Sequence, residues 1–103
     1  MLVLLKASMD VESANSAVRE NRLGQLIGSI LDEIKPEAVY FTAEYGMRTA
    51  YVFVDLQDAS QIPRIAEPWM LALQASIEMF PVMVLEDLVK AGPDFERTVE
   101  KFG

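Results

Sequence analysis

Few side chains in this chain are able to do chemistry, and their types narrow what that chemistry is. Tyr40 and Tyr51 stand in two neighbouring segments, where a phenol can orient or protonate a substrate. As a pair they can equally fill an interface and hydrogen-bond at its rim. Glu78 lies between Ile77 and Met79. Buried there, it would need a partner such as Lys6 and would be the best candidate base; exposed, it is a solvated strand-edge acid. Arg19 and Arg22 bracket Asn21, and two arginines so placed can clamp a carboxylate. They can also pair with Glu20, with acids of a second chain, or with water. Trp69 is the single tryptophan, able to wall a pocket or simply to fill the core. Glu44 and Arg48 flank a turn, where an exposed ion pair contributes little. The candidate catalytic residues on this reading are Glu78 and Tyr51, and the candidate ligand contacts are Tyr40, Tyr51, Trp69 and Arg22.

What is missing is equally informative. There is no histidine and no cysteine. That removes the commonest general base, the commonest metal ligand, thiol nucleophiles and disulfides. It also excludes haem held by either residue. Glu86, Asp87, Asp94, Glu96 and Glu100 lack the ligand spacing of a calcium loop and read as a solvated face. No phosphate-binding glycine loop or nucleophile elbow is present. No metal and no cofactor is expected. The net charge is −7, with five basic and seven acidic side chains in residues 1–52 and four and nine in residues 53–103. Such a surface repels nucleic acid and anionic membranes. The first apolar run stops at Lys6, too short for a signal peptide, and no later run approaches membrane-spanning length. The chain is expected to be cytoplasmic.

The elements that must position these residues follow from period. With 103 residues, half of them apolar, there is room for one domain and one core. Residues 2–8 read as a strand. Leu23, Leu26, Ile27, Ile30, Leu31 and Ile34 share one helical stripe, which Ala14, Ala17 and Val18 extend backwards, and Pro36 ends it. Gly24 and Gly28 are expected to let this helix approach the sheet closely. Residues 38–43 and 48–56 form a hairpin around Glu44-Tyr45-Gly46-Met47. A second helix begins near Ser60, capped by Asp58 or Ser60, with Pro63 in its first turn. Pro68 should kink or interrupt it. Residues 76–84 read as a strand in which Pro81 implies an edge position or a bulge. Residues 85–103 form a helical extension, broken at Gly92-Pro93, with Asp94 able to cap its last turns.

The order is βαββαβ, the split βαβ of a ferredoxin-like α+β sandwich. Both helices then cover one face of a four-stranded antiparallel sheet. An even hairpin loop pairs Tyr40 with Tyr51, Thr42 with Thr49 and Ala38 with Phe53 on the other face. Val39, Phe41, Ala50, Val52, Val54 and Leu56 turn to the helices. The face with Tyr40, Tyr51 and Phe53 is too apolar for water, and strand 1 is apolar on both sides. A patch of that kind marks an interface or a ligand groove, so homodimerisation sheet to sheet is expected.

The element order, the second apolar face and the stretch Phe80-Pro81-Val82-Met83-Val84-Leu85-Glu86-Asp87 together resemble the dimeric α/β-barrel superfamily. The resemblance spans nearly the whole chain and is architectural. It implies two ferredoxin-like subunits joined into a barrel with the helices outside. That superfamily includes cofactor-free monooxygenases, haem-degrading enzymes, isomerases and stress-responsive proteins. Some of the monooxygenases use asparagine, tryptophan and tyrosine around an aromatic substrate, which the resemblance carries to Asn21, Trp69 and Tyr51. Three functions follow as alternatives: a homodimeric module binding a small apolar or aromatic ligand, a cofactor-independent monooxygenase or isomerase acting on a small aromatic metabolite, and a purely structural interaction protein.

Overall fold

Alternating side chains build the sheet on which everything else rests. The computed structural model describes residues 1–103. Strands β1 (Leu2–Ser8), β2 (Ala38–Glu44), β3 (Met47–Asp55) and β4 (Ser76–Pro81) form one antiparallel sheet in the order β2-β3-β1-β4. Val3, Leu5 and Ala7 of β1, with Ala50, Val52 and Val54 of β3, point to one side and are buried. Against them pack α1 (Val11–Arg19), α2 (Leu23–Ile34) and α3 (Ile62–Leu73), through Ala14, Ile30, Ile34, Ile65, Trp69 and Leu73. The architecture is α+β and consistent with a ferredoxin-like fold. Beyond β4 lie α4 (Leu85–Lys90) and α5 (Gly92–Phe102).

The hairpin has the expected register. Ala38 opposes Phe53, Tyr40 opposes Tyr51 and Thr42 opposes Thr49. Its loop is the two residues Tyr45 and Gly46, both at positive φ (52° and 75°). That is the type I′ geometry whose twist matches the flanking strands.

Four expectations need correction. The first helical stripe is two helices, because the chain turns at Asn21, whose φ is 56°. Asn21 N–H donates to the Val18 carbonyl at 3.0 Å and Arg22 N–H to the Ala17 carbonyl at 2.9 Å. Those two bonds make a Schellman motif, with asparagine in the left-handed position. Gly24 and Gly28 do not serve close approach, since a Cβ on either would meet nothing within 4 Å. Of the two outcomes expected at Pro68, interruption does not occur, and α3 runs through it. Burial of Ile65, Ala66, Trp69 and Leu73 on either side outweighs the missing hydrogen bond. At the C-terminal end β4 stops at Pro81, and α5 already begins at Gly92, so Asp94 lies in its first turn and does not cap it.

The open space around Gly28 yields a stability prediction. Gly28 lies mid-helix and Gly24 near the helix start, where backbone entropy counts less. Gly28→Ala should stabilise the protein by roughly 1 kcal/mol, and Gly24→Ala by less. Urea denaturation measures both; a loss of stability in Gly28→Ala would show that the position needs a bare backbone.

Candidate functional site

The sheet face away from the helices carries a charged cluster in an apolar frame. Pleating places Leu4 and Lys6 of β1 on this face, beside Phe53 and Tyr51 of β3 and Phe80 and Glu78 of β4. Lys6 Nζ forms an ion pair with Glu44, and the Tyr51 hydroxyl donates to the other oxygen of the same carboxylate. Lys6 also lies 3.7 Å from Glu78 and 5.9 Å from the centroid of the Tyr51 ring. Tyr40 and Phe53 meet edge to face, with ring centroids 6.4 Å apart. The Lys6 side chain is 17% exposed and that of Glu44 28%, whereas that of Glu78 is 58% exposed. Thr49 is buried on this face, bracketed by Tyr51 and the hairpin end, and its hydroxyl donates to the Met47 carbonyl.

The electrostatics fix each group in its ordinary charge state. The hydrogen bonds from Lys6, then Tyr51, hold the Glu44 carboxyl below the usual carboxylate range. Glu44 raises Lys6, against a smaller opposing effect of burial. It also raises Tyr51, chiefly by accepting its proton in a hydrogen bond. A general base or acid needs a pKa near the working pH, and none of these three is moved toward neutrality.

A second feature lies on the helix side, at the hairpin end of the sandwich. Met9, Leu23, Ile27, Phe41, Ala43 and Arg48 line an open groove of about 430 Å³. Arg48 opposes Ala43 in the ladder, and it is half-buried. It donates to Asn15 Oδ1 of α1 at 2.9 Å. No acidic side chain pairs with it; the ion pairs of the chain involve Lys6, Arg22, Arg97 and the N-terminus.

The residues singled out in the sequence are thus divided among several places. Tyr40, Tyr51 and Glu78 share the open sheet face, and Lys6 is the partner of Glu78 that the sequence reading named. Exposure of Glu78 removes the burial that would have made it the best candidate base. Trp69 is fully buried beneath α3, its indole N–H has no acceptor, and it lines none of the larger cavities. Asn21 serves the turn between α1 and α2. Arg22 is 2.7 Å from Glu20 and lines a separate polar hollow with Asp10 and Ser16. Asn21, Trp69 and Tyr51 therefore do not surround a common space. Glu44 and Arg48 do not pair with one another, because the two-residue turn sends them to opposite faces.

Sequence reading missed Arg48 as a groove residue and the Lys6–Glu44 pair as a centre. The signal for the first was present: Arg48 is in phase with Ala50, Val52 and Val54, a charge on an otherwise apolar side.

The pKa directions give a pH profile with defined signs. Glu44 contributes stability that is full above the normal carboxylate range and is lost as pH falls through its depressed folded value. Lys6 contributes stability that is full below the normal lysine range and is lost as pH rises through its raised folded value. Tyr51, favoured as the neutral phenol, follows Lys6. Urea midpoints should therefore be level near neutrality and fall on both sides. Glu44→Gln should lower the neutral plateau and make both limbs shallower. An unchanged plateau in that variant would show that the cluster contributes nothing to stability.

The sequence matches no protein-family profile. It matches no curated protein either. Among solved structures it is similar to Rv0793 from Mycobacterium tuberculosis, at 12% identity over 81% of this chain and 95% of that one, with a TM-score of 0.48. At that level the likeness carries no argument about activity or partner.

Proposed function

We propose that this protein is a homodimeric binding module of the dimeric α/β-barrel kind, taking a small apolar ligand that carries an acidic group. The observation that carries the ligand reading is the groove beside Arg48. Its walls are mostly apolar, through Met9, Leu23, Ile27, Phe41 and Ala43. Apolar concavities with one or two placed polar groups are the usual form of small-molecule sites. Arg48 supplies the polar group. One guanidinium N–H is used by Asn15, and the remaining donors of its planar fork suit a carboxylate. The chain has sixteen acidic side chains for nine basic ones, yet none neutralises this arginine.

The dimer reading rests on the opposite face. Leu4, Phe53, Tyr40 and Phe80 surround the Lys6–Glu44–Tyr51 cluster, and Tyr40 and Phe80 remain exposed. Exposed aromatic area of this kind, beside charges that satisfy one another, is the sort of patch that marks an interaction surface. The oxygenase alternative would need Asn21, Trp69 and Tyr51 around one substrate, and no observation favours it over the binder.

Calorimetry with octanoate, octanol and octylamine tests the ligand. Octanoate should bind best, and Arg48→Gln should weaken it by roughly tenfold or more, the worth of a hydrogen bond to a charged group. Equal or tighter binding of octylamine would overturn the anionic assignment. Light scattering coupled to size exclusion tests the dimer, which should run at twice 11.5 kDa; an 11.5 kDa monomer at micromolar concentration would end that reading.

A further inference from the structure

The chain beyond β4 is an arm with nothing under it. No buried residue lies past Ala75, and all eight large apolar side chains from Met83 to Phe102 are exposed. They are not scattered. Leu85, Leu88 and Val89 share one side of α4, and Phe95, Val99 and Phe102 recur at intervals of four and three along α5. Helices of six and eleven residues are marginal in water on their own, so their helicity depends on packing against something.

The whole molecule carries the mark of that missing cover. Its radius of gyration is 17.3 Å and its long axis 60 Å, where a compact chain of this length has a radius near 13 Å. Its accessible surface is 7103 Å², whereas a compact monomer of this mass exposes roughly 5,800 Å². The excess of about 1,300 Å² exceeds the area, about 800 Å², that each partner contributes to a standard interface.

We infer that residues 82–103 are exchanged between two copies of this chain, each arm packing its apolar stripe on the partner at the margin of the paired sheets. The second copy is favoured as occupant for three reasons. The same chain carries both uncovered apolar surfaces, the arm and the open sheet face, which is the condition for a self-complementary two-fold contact. The arm springs from Pro81, next to Phe80 on that face, with Val82 N–H still bonded to the Leu2 carbonyl, so it continues directly from the proposed interface. The excess area fits a subunit contact. An anionic membrane is disfavoured, since the arm has five acidic and three basic side chains. The inference rests on the sheet-to-sheet dimer of the preceding section and adds the arm to it.

The absence of cysteine makes the test direct. Glu100→Cys, an exposed position in α5, is given a nitroxide label on unlabelled chains and mixed with ¹⁵N-labelled chains without the nitroxide. Amide signals of the ¹⁵N chains' β-sheet should broaden, which reports contact between copies. In the reverse experiment the nitroxide is on the ¹⁵N chain, diluted in unlabelled protein. Broadening confined to that case means that the arm folds back on its own sheet and overturns the inference, as does broadening in neither. Light scattering on the same samples separates the two levels: a dimer without intermolecular broadening sinks the arm exchange alone, and a monomer sinks the dimer and the exchange together. Phe95→Ser with Val99→Ser and Phe102→Ser should raise the dimer dissociation constant by about tenfold or more. An unchanged constant would likewise overturn the exchange.

Discussion

A two-residue turn decides the placement of almost every group of interest. With Tyr45 and Gly46 both at positive φ, Glu44 pairs with Met47 and Ala43 with Arg48. Because side chains alternate along a strand, a slip of one residue would move every side chain of β2 to the opposite face. In the register that forms, Arg48 faces the helices and stands at the groove, while Glu44 and Tyr51 face outward and reach Lys6. The groove and the charged cluster are two consequences of one turn geometry. Gly46 accepts its left-handed conformation without cost; Tyr45 takes one that a bulky residue seldom adopts, at a loop tip where its ring is almost wholly exposed.

The cluster on the open face shows how a charge is tolerated among apolar neighbours. Lys6 is largely covered, yet it has Glu44 as a close partner, Glu78 as a second, and the Tyr51 ring alongside. Tyr51 caps the remaining oxygen of Glu44. A partly covered ion pair is weak support for stability in itself, because desolvation and solvent screening offset much of the attraction. Its better-attested role is to fix register, since any misaligned pairing strands a charge. In a sheet-to-sheet dimer the cluster would leave water further behind, and the mutual satisfaction of its members is what makes that tolerable.

Much of this was legible in the sequence where a period ran unbroken. The stripe Leu23–Ile34 keeps its helical period and is a helix with those bounds, and the short apolar run Leu2–Ser8 is a strand with those bounds. The hairpin register followed from parity alone. Legibility failed where the pattern was carried past its own break. On one continuous helix Ala14, Ala17 and Val18 would lie roughly 80–180° around the axis from Leu23 and Leu26, so the Schellman bonds at Asn21 end α1 where the hydrophobic phase also breaks. Pro68 does not end its helix, because burial on either side holds it together. The placement of the candidate site residues was less legible for a third reason. Tyr51, Trp69 and Asn21 are joined by the resemblance alone, and a resemblance of architecture carries no information about which side of a sheet a residue occupies. The phase of Arg48 did carry that information, as did the phase of Lys6 with Leu2 and Leu4.

β3 is the element that joins the two surfaces. Arg48 points from it toward the helices and Tyr51 toward the open face, with Thr49 and Ala50 buried between them on opposite sides. Its neighbours are β1, which carries Lys6, and β2, which carries Phe41 and Glu44. A central strand buried on one face and bonded along both edges moves as a unit with its sheet, since close-packed interiors deform little. A ligand seated against Arg48 and a second sheet seated against Tyr51 would therefore act on the same rigid strand from opposite sides. The left-handed positions at Asn21, Lys35 and Gln74 end the helices and turn the chain between elements, and the arm beyond Pro81 stands apart from the sheet. The physical division is between a two-faced sheet, which presents both surfaces in one register, and a C-terminal arm whose short helices leave their apolar stripes exposed and so need a partner surface to be stable.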